Sequence, residues 1–142
     1  MTEVRISTDQ TQLDVGAIHR FLSEESAWAR GIPLALVRES INNSLNFGLF
    51  VGNQQAAYAR VVTDHATFAY LLDVFVLREY RGKGLSRELM ASVMAHPTIR
   101  KVRRVVLVSS TARGLYQKFG FVPLANPETF MEINVPNAYS EA

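Results

Sequence analysis

The fold is decided by residues 74–86, which read VFVLREYRGKGLS. An apolar run leads into a basic turn that contains Gly82 and Gly84, and a helical apolar pattern begins after it. The N–H groups of a first helical turn have no partner within the helix and carry the positive end of its dipole. A phosphate can approach glycine backbone closely, and Arg81 and Lys83 add positive charge beside it. The stretch therefore predicts a strand, a turn and a helix start that binds a pyrophosphate.

The same two glycines also suit a turn with no ligand, because tight turns need residues that accept a positive φ. The stretch is not a dinucleotide-binding fingerprint, since it lacks the third glycine and the later acidic partner of that motif. It is not a Walker loop either, since no Gly-Lys-Ser/Thr follows four variable residues. Spacing alone leaves a structural turn and a phosphate site both open.

Outward from this stretch, the apolar residues alternate between the periods of strands and helices. The apolar strand before the turn should be buried on both faces. The order of elements predicts an α/β fold of the α+β kind, in which helices cover the faces of a mixed sheet, rather than a doubly wound sheet or a sandwich. Strands are expected at residues 4–7, 47–51, 56–62, 67–77, 103–109, 121–124 and 130–135.

Four helices are expected between these strands. Thr11 should cap the first helix, and Pro33 suits the first turn of the second. Pro97 should end the third helix, and Gly120 should stop the fourth as a C-cap glycine. The expected ranges are residues 13–23, 33–45, 85–94 and 112–119.

Length and composition bound the class of protein. The 142 residues predict one domain over residues 1–142, large enough to fold without a disulfide or a metal. There is no cysteine, which excludes disulfides, thiolate nucleophiles and cysteine metal sites, and we predict no metal site of another kind. A net charge of +2 is too small to indicate nucleic acid as a partner. Because no signal-peptide core and no run of roughly 20 apolar residues occurs, we expect a cytoplasmic protein without membrane contact.

Two segments carry a family resemblance. Residues 81–86, RGKGLS, resemble the acetyl-CoA motif of the GNAT superfamily of N-acetyltransferases, and residues 114–121, GLYQKFGF, are similar to its common LYxKxGF segment. The two stand in the family's order, with a helix and a strand expected between them. The resemblance implies a single N-acetyltransferase domain whose central, mostly antiparallel and twisted sheet has helices on its faces. It also implies that the fourth and fifth strands splay apart around acetyl-CoA, which serves as co-substrate.

The resemblance also implies which residues contact acetyl-CoA. The backbone of the fourth strand should pair with the pantetheine arm, and the glycine turn should hold the pyrophosphate. Ser86 stands where the family usually has glycine or alanine, and because serine is small, the phosphate should still fit there. Ser109 stands where many members have an asparagine that contacts the cofactor arm, so this contact is in doubt. The implied set is Val74, Phe75, Val76, Arg81, Gly82, Lys83, Gly84, Leu85, Ser86, Ser109 and Tyr116.

The implied reaction is direct attack of a primary amine, on a small molecule or peptide, at the thioester carbonyl. Tyr116 is the predicted general acid for the leaving thiolate, and an N–H of Phe75 or Val76 would stabilise the oxyanion. A tyrosine on a short amphipathic helix is more often a core residue, but the position of Tyr116 within the second family segment favours the catalytic role. Asp73 interrupts an apolar strand, where it is either a general base or a hydrogen-bonded structural group.

Residues between the first two expected helices are candidates to contact the amine acceptor. Glu24 is a second candidate base, and Glu25 and Trp28 are candidates to bind the acceptor. Solvated glutamates and a tryptophan that anchors helix packing are the structural alternatives. The acceptor's identity, the acyl preference and the true base stay open at this stage.

Other functions are compatible with the same sequence. A non-catalytic acyl-CoA-binding sensor or partner protein is the main alternative, because Ser86 and Ser109 depart from the family pattern. A transferase that acetylates charged tRNA is a third, and salt-dependent tRNA binding would test it. A homodimer is compatible with the resemblance.

Overall fold

A computed structural model describes residues 3–140 and contains one five-stranded sheet with its strands in chain order. β1 to β4 pair as antiparallel neighbours, and β5 lies parallel to β4. The predicted mixed, mostly antiparallel sheet with helices on its faces is therefore confirmed. The strands are β1 Val4–Ser7, β2 Leu45–Val51, β3 Gln54–Thr63, β4 Phe68–Val76 and β5 Arg104–Val106.

Within residues 3–140, five α-helices and three short 3-10 turns lie between these strands or after the last of them. The helices are α1 Val15–Arg20, which continues as a π-helical turn at Phe21–Glu25, α2 Leu34–Asn42, α3 Leu85–Ala95, α4 Pro97–Lys101 and α5 Arg113–Gln117. The 3-10 turns are Gln10–Gln12, Arg78–Tyr80 and Pro127–Thr129. Among residues 3–140, no helix combines the length and the apolar character that a membrane span requires.

The core lies on both faces of the sheet. On one face, Leu89, Met90 and Val93 of α3 pack against β2, β3 and β4. On the other face, α1, its π-helical continuation and α2 pack against Tyr58 and Phe75. The sheet thus forms the middle layer of three, which places the end of β4 between two sets of helices.

β4 carries a bulge at Asp73. Asp73 has a φ of 53°, and the register with β3 shifts opposite it, between Tyr58 and Arg60. Leu71 belongs to the α3 side of the core, whereas Phe75, four residues later, belongs to the α1–α2 side. Residues an even number apart would share a face in a regular strand, so the bulge reverses the faces of β4.

β4 and β5 part shortly before the bulge. Their pairing covers three residue pairs and ends at Tyr70 and Val106, while β4 runs on to Val76. This confirms the predicted splay of the fourth and fifth strands. Burial on both faces of β4 is only partial, because fully buried residues alternate with half-buried ones.

Several element ends differ from the sequence-based expectation. Asp14, not Thr11, caps α1: its carboxylate accepts from the Ala17 N–H at 3.0 Å, while Thr11 belongs to the preceding 3-10 turn. α2 ends at Asn42, and Leu45 already begins β2. Pro97 does not lie at the end of α3, which closes at Ala95. It begins α4 instead, a position that needs no backbone N–H donor.

The predicted late strands are wrong. Neither residues 121–124 nor residues 130–135 form a strand, and β5 is three residues long rather than seven. The apolar residues of these segments do not pair with the free edge of β5, and Val122 and Ile133 are 80% and 100% exposed. Gly120, in contrast, stops the helical segment as predicted, with a φ of 95°.

Candidate functional site

The glycine turn connects the end of β4 to α3. Gly82 and Gly84 have φ values of 79° and 76°, so the left-handed backbone alone accounts for both glycines. A Cβ atom at either position would meet no atom within 4 Å, which means that the turn is also open. Gly84 caps α3 without any side-chain hydrogen bond. The first N–H groups of α3 therefore face a space that a phosphate can enter.

Side chains fix this turn to the sheet. The Arg81 Nε donates to the Val76 carbonyl oxygen at 2.9 Å, and the Tyr80 hydroxyl donates to Gln54 Oε1 at 2.7 Å. Lys83 Nζ lies 6.0 Å from the centroid of the Tyr80 ring. Ser86 is half-buried, and Leu85 is buried in the core, so Leu85 can offer a ligand only its backbone. The structure thus brings predicted residues 81–86 together at the carboxyl end of β4.

Beyond Tyr70, β4 is no longer paired with β5, and its edge on that side faces the gap between the two strands. The Leu77 N–H donates to the Ala56 carbonyl of β3 at 2.8 Å, so the other end of that peptide, the Val76 carbonyl, points away from β3. The N–H and C=O groups of one strand residue point to the same side. The Val76 N–H therefore faces the gap, whereas the Phe75 N–H faces β3. Of the two predicted oxyanion donors, Val76 has the suitable orientation.

Asp73 is held by two donors from different elements. Its Oδ1 accepts from the Trp28 Nε1 at 2.7 Å, and its Oδ2 accepts from the Arg60 Nε at 2.8 Å. The Asp73 side chain is 7% exposed and that of Arg60 14%, so this is a buried ion pair. Arg60 also donates to the Ser44 Oγ at 2.9 Å, which ties it to the start of β2.

A cleft of about 420 Å³ opens beside Asp73, between the sheet and the α1–α2 side. Trp28 lies at this cleft with 57% of its surface exposed. Glu39 and Tyr139 also line the cleft, and the Tyr139 carbonyl oxygen lies 3.1 Å from a Cβ placed on Gly31. We call this the Trp28 cleft; apolar and polar side chains line it in similar numbers.

Glu24 and Glu25 are not brought into this cleft. Both are exposed on the π-helical turn, and neither lines the Trp28 cleft or the larger cleft described next. Glu25 Oε1 lies 3.9 Å from Arg78 Nη2 on the surface, where an ion pair adds little to stability. The predicted roles of both glutamates gain no support from the geometry.

Tyr116 and Ser109 line a second, larger cleft of about 810 Å³ beside β5, the Tyr116 cleft. Tyr116 is 8% exposed and packs edge-on against Phe121, with 6.0 Å between ring centroids. Burial raises the pKa of Tyr116, and no described residue forms a hydrogen bond with its hydroxyl. The Ser109 Oγ accepts from the Ala112 N–H at 3.0 Å, so Ser109 holds the loop before α5. Both predicted residues thus border a cleft, and Tyr116 also belongs to the core.

Arg60, Glu39 and Tyr139 were missed by sequence analysis. Arg60 had a detectable signal, because it interrupts the apolar run of residues 56–62 just as Asp73 interrupts that of the next strand. Opposite charges in two buried strands indicate a pair, since a single buried charge is costly. Glu39 and Tyr139 had no such signal. No group of three or more His, Asp and Glu side chains that could hold a metal ion occurs within residues 3–140.

Several known proteins are similar to this chain in sequence and fold. The family described as Acetyltransferase (GNAT) domain matches residues 43–123. A GNAT-family protein from Xanthomonas campestris pv. campestris is 53% identical, and the match covers 99% of both chains with a TM-score of 0.95. A candidate acetyltransferase of Gibberella zeae is 28% identical over 136 residues, which cover 80% of this chain and 75% of that protein. A candidate acetyltransferase from Clostridium acetobutylicum, solved with acetyl-CoA, is 19% identical with a TM-score of 0.66 and coverage of 94% and 96%.

The family match covers more than half of the chain, and the Xanthomonas protein shares both its sequence and its fold. The chain therefore belongs to the GNAT acetyltransferase family. It is an acetyltransferase of the class that takes its acetyl group from acetyl-CoA.

Proposed function

We propose that this protein is an N-acetyltransferase that transfers the acetyl group of acetyl-CoA to a primary amine of a small molecule or peptide. The observation that carries the proposal is the open glycine turn at the end of β4, at the point where β4 and β5 have parted. The pyrophosphate would lie on the first N–H groups of α3, with Arg81 and Lys83 beside it. The Clostridium protein of the same fold, solved with acetyl-CoA, supports this use of the fold.

Acetyl-CoA supplies an acetyl group that is activated as a thioester. The Val76 N–H faces the gap between the strands and would donate to the carbonyl oxygen as negative charge develops there. Tyr116 would donate its proton to the departing sulfur. A buried tyrosine whose pKa lies above its ordinary value keeps its proton at neutral pH, which suits a general acid.

The acceptor would enter through the Trp28 cleft. This cleft borders Asp73 at the bulge of β4, on the side of the sheet opposite to α3. Asp73 would receive the amine proton through water, since both of its oxygens already accept hydrogen bonds. Glu24 and Glu25 line neither cleft, so we assign them no step. The cytoplasm stays our prediction for where the reaction occurs.

The test is a thermal melt of the purified chain, alone and with acetyl-CoA or CoA, followed by detection of free thiol with a panel of amines. A ligand at about 100 times its Kd stabilises the folded state by about 2.7 kcal/mol, which raises the Tm by roughly 5–10 °C for a domain of this size. We expect a shift with both ligands, and thiol release with at least one amine. A shift with no thiol release would favour the acyl-CoA-binding sensor, and no shift would contradict both functions.

A further inference from the structure

The backbone of Asp73 is the least expected feature of the sheet. A residue with a side chain stands at a φ of 53° in the middle of a nine-residue strand. Such conformations are unfavourable, and they persist only where the surroundings over-determine them. Asp73 therefore needs contacts that hold it in place.

Those contacts come from Arg60 and Trp28. Their N–H groups bind one Asp73 oxygen each, at 2.8 and 2.7 Å, and they approach from β3 and from the segment after the π-helical turn. The hydrogen bond from Arg60 to Ser44 adds a third attachment, at the start of β2. Hydrogen bonds from two directions thus hold the Asp73 carboxylate, and through it they hold the bulge.

The bulge decides where the backbone of β4 points. Before it, Leu71 faces the α3 side of the core, and after it Phe75 faces the other side. The same reversal leaves the Val76 N–H directed to the gap between β4 and β5. In a strand without the bulge, the Val76 N–H would point toward β3 instead.

We infer that Arg60 and Trp28 are positioning residues that hold the β4 bulge through Asp73 and thereby aim the Val76 N–H at the acetyl carbonyl. This inference rests on the proposed function, because it assigns the Val76 N–H a ligand. Neither residue touches acetyl-CoA in this arrangement; each acts through Asp73.

Stabilisation of the fold alone explains the hydrogen bonds from Arg60 and Trp28 to Asp73 less well. A buried ion pair loses in desolvation about as much as it gains, so well-packed apolar residues would hold the sheet equally well. Trp28 leaves more than half of its surface in solvent and uses its one N–H on Asp73. Its ring lies 6.3 Å from the Phe21 ring, centroid to centroid, so packing accounts for part of its place but not for the hydrogen bond to Asp73. Positioning of the bulge accounts for both residues.

Ligand affinity tests whether the Val76 N–H points at the acetyl carbonyl. Acetyl-CoA and CoA share every group except the acetyl group, so their Kd ratio reports contacts to the acetyl carbonyl. Trp28→Phe keeps an aromatic ring without the N–H, and Arg60→Gln removes the charge. We expect both to weaken acetyl-CoA binding by about fivefold to tenfold, the loss of one hydrogen bond, while CoA binding changes by less than about twofold. Arg60→Lys should restore part of the ratio, and Arg100→Gln, on the exposed face of α4, should leave it unchanged.

Amide NMR of the same proteins shows which backbone group responds. In the wild type, the Ser86 amide should shift with both ligands and the Val76 amide more strongly with acetyl-CoA. In Trp28→Phe, we expect the acetyl-dependent shift at Val76 to be lost and the shift at Ser86 to persist.

An acetyl-dependent shift that is absent in the wild type, or unchanged in both variants, would overturn the inference. Absence of any shift at Ser86 in the wild type would instead contradict the proposed function. If Arg60→Gln fails to fold, Trp28→Phe decides, because it removes the N–H and part of the ring of a residue that is largely exposed.

Discussion

Tyr116 combines burial with a hydroxyl that has no partner among the described residues. The hydroxyl itself is open to the cleft, because among residues 3–140 no enclosed side-chain oxygen or nitrogen lacks a hydrogen-bond partner. Here the hydroxyl belongs to a residue that lines the Tyr116 cleft, and desolvation raises its pKa. The group therefore carries a proton at neutral pH and has no competing acceptor for it.

Tyr116→Phe should lower turnover by one to two orders of magnitude while acetyl-CoA affinity stays nearly unchanged, as expected for a lost general acid. Because the folded pKa of Tyr116 is raised, its acid form persists as pH rises to about 10, the ordinary tyrosine value, and is lost only above it. Steady-state kinetics between pH 7 and 10 provide the measurement. Equal turnover in wild type and variant would remove Tyr116 from the mechanism.

At the scale of elements, the turn between β4 and α3 requires glycine for two separate reasons. Its backbone needs glycine at positive φ, and the space around it is empty where side chains would lie. The first requirement concerns folding and the second concerns a ligand. A substitution at Gly84 affects both, so stability and affinity have to be measured separately.

Gly84→Val should weaken CoA and acetyl-CoA binding by 10-fold or more, since a branched side chain would occupy the phosphate space; a lost charge-assisted hydrogen bond alone is worth about that factor. The left-handed backbone should also cost about 1–2 kcal/mol of stability. Calorimetric titration well below the Tm separates the two effects. Gly16→Ala is the matched control, because its Cβ would make only ordinary contacts at 3.5 Å within α1. Wild-type affinity in Gly84→Val would show that the phosphates bind elsewhere.

At the scale of the whole molecule, an apolar surface follows β5. Val108 is 84% exposed, and Met131, Ile133 and Val135 are 91%, 100% and 68% exposed. The last three alternate along the chain, so they would share one side once the segment pairs as a strand. The segment begins at Phe130, whose ring lies 5.1 Å from the Arg104 guanidinium. Exposed apolar patches of this kind usually mark an interface.

We expect a second copy of the chain to cover this surface, because each copy offers both an unpaired segment and the free edge of β5. Light scattering should give twice the 15.9 kDa mass for the wild type. Ile133→Asp should give the monomer mass with an unchanged Tm at low concentration, since Ile133 contacts nothing in its own chain. Asn134→Asp adds the same charge to the opposite side of the segment and should stay dimeric. A monomeric wild type at high concentration would contradict the expectation.

The local elements were largely predictable from the sequence, because apolar periodicity and turn chemistry act over a few residues. The strands of the sheet and the glycine turn before α3 all follow from such local signals. Element ends were less predictable. Asp14 and Thr11 are both suitable caps by residue type, and only the path of the chain selects Asp14.

Tertiary structure alone decided the features that join distant residues. The sequence determined that a basic glycine turn follows an apolar strand, and that Tyr116 stands in the second family segment. It did not determine that Asp73 adopts a positive φ, or that Arg60 and Trp28 bind its two oxygens. Those contacts join residues 13 and 45 positions apart, and they exist only after the sheet and α1 have packed. The late segment shows the converse: residues 130–135 have the alternation of a strand, but they do not pair with the free edge of β5 in their own chain, and a strand forms only where its backbone is paired.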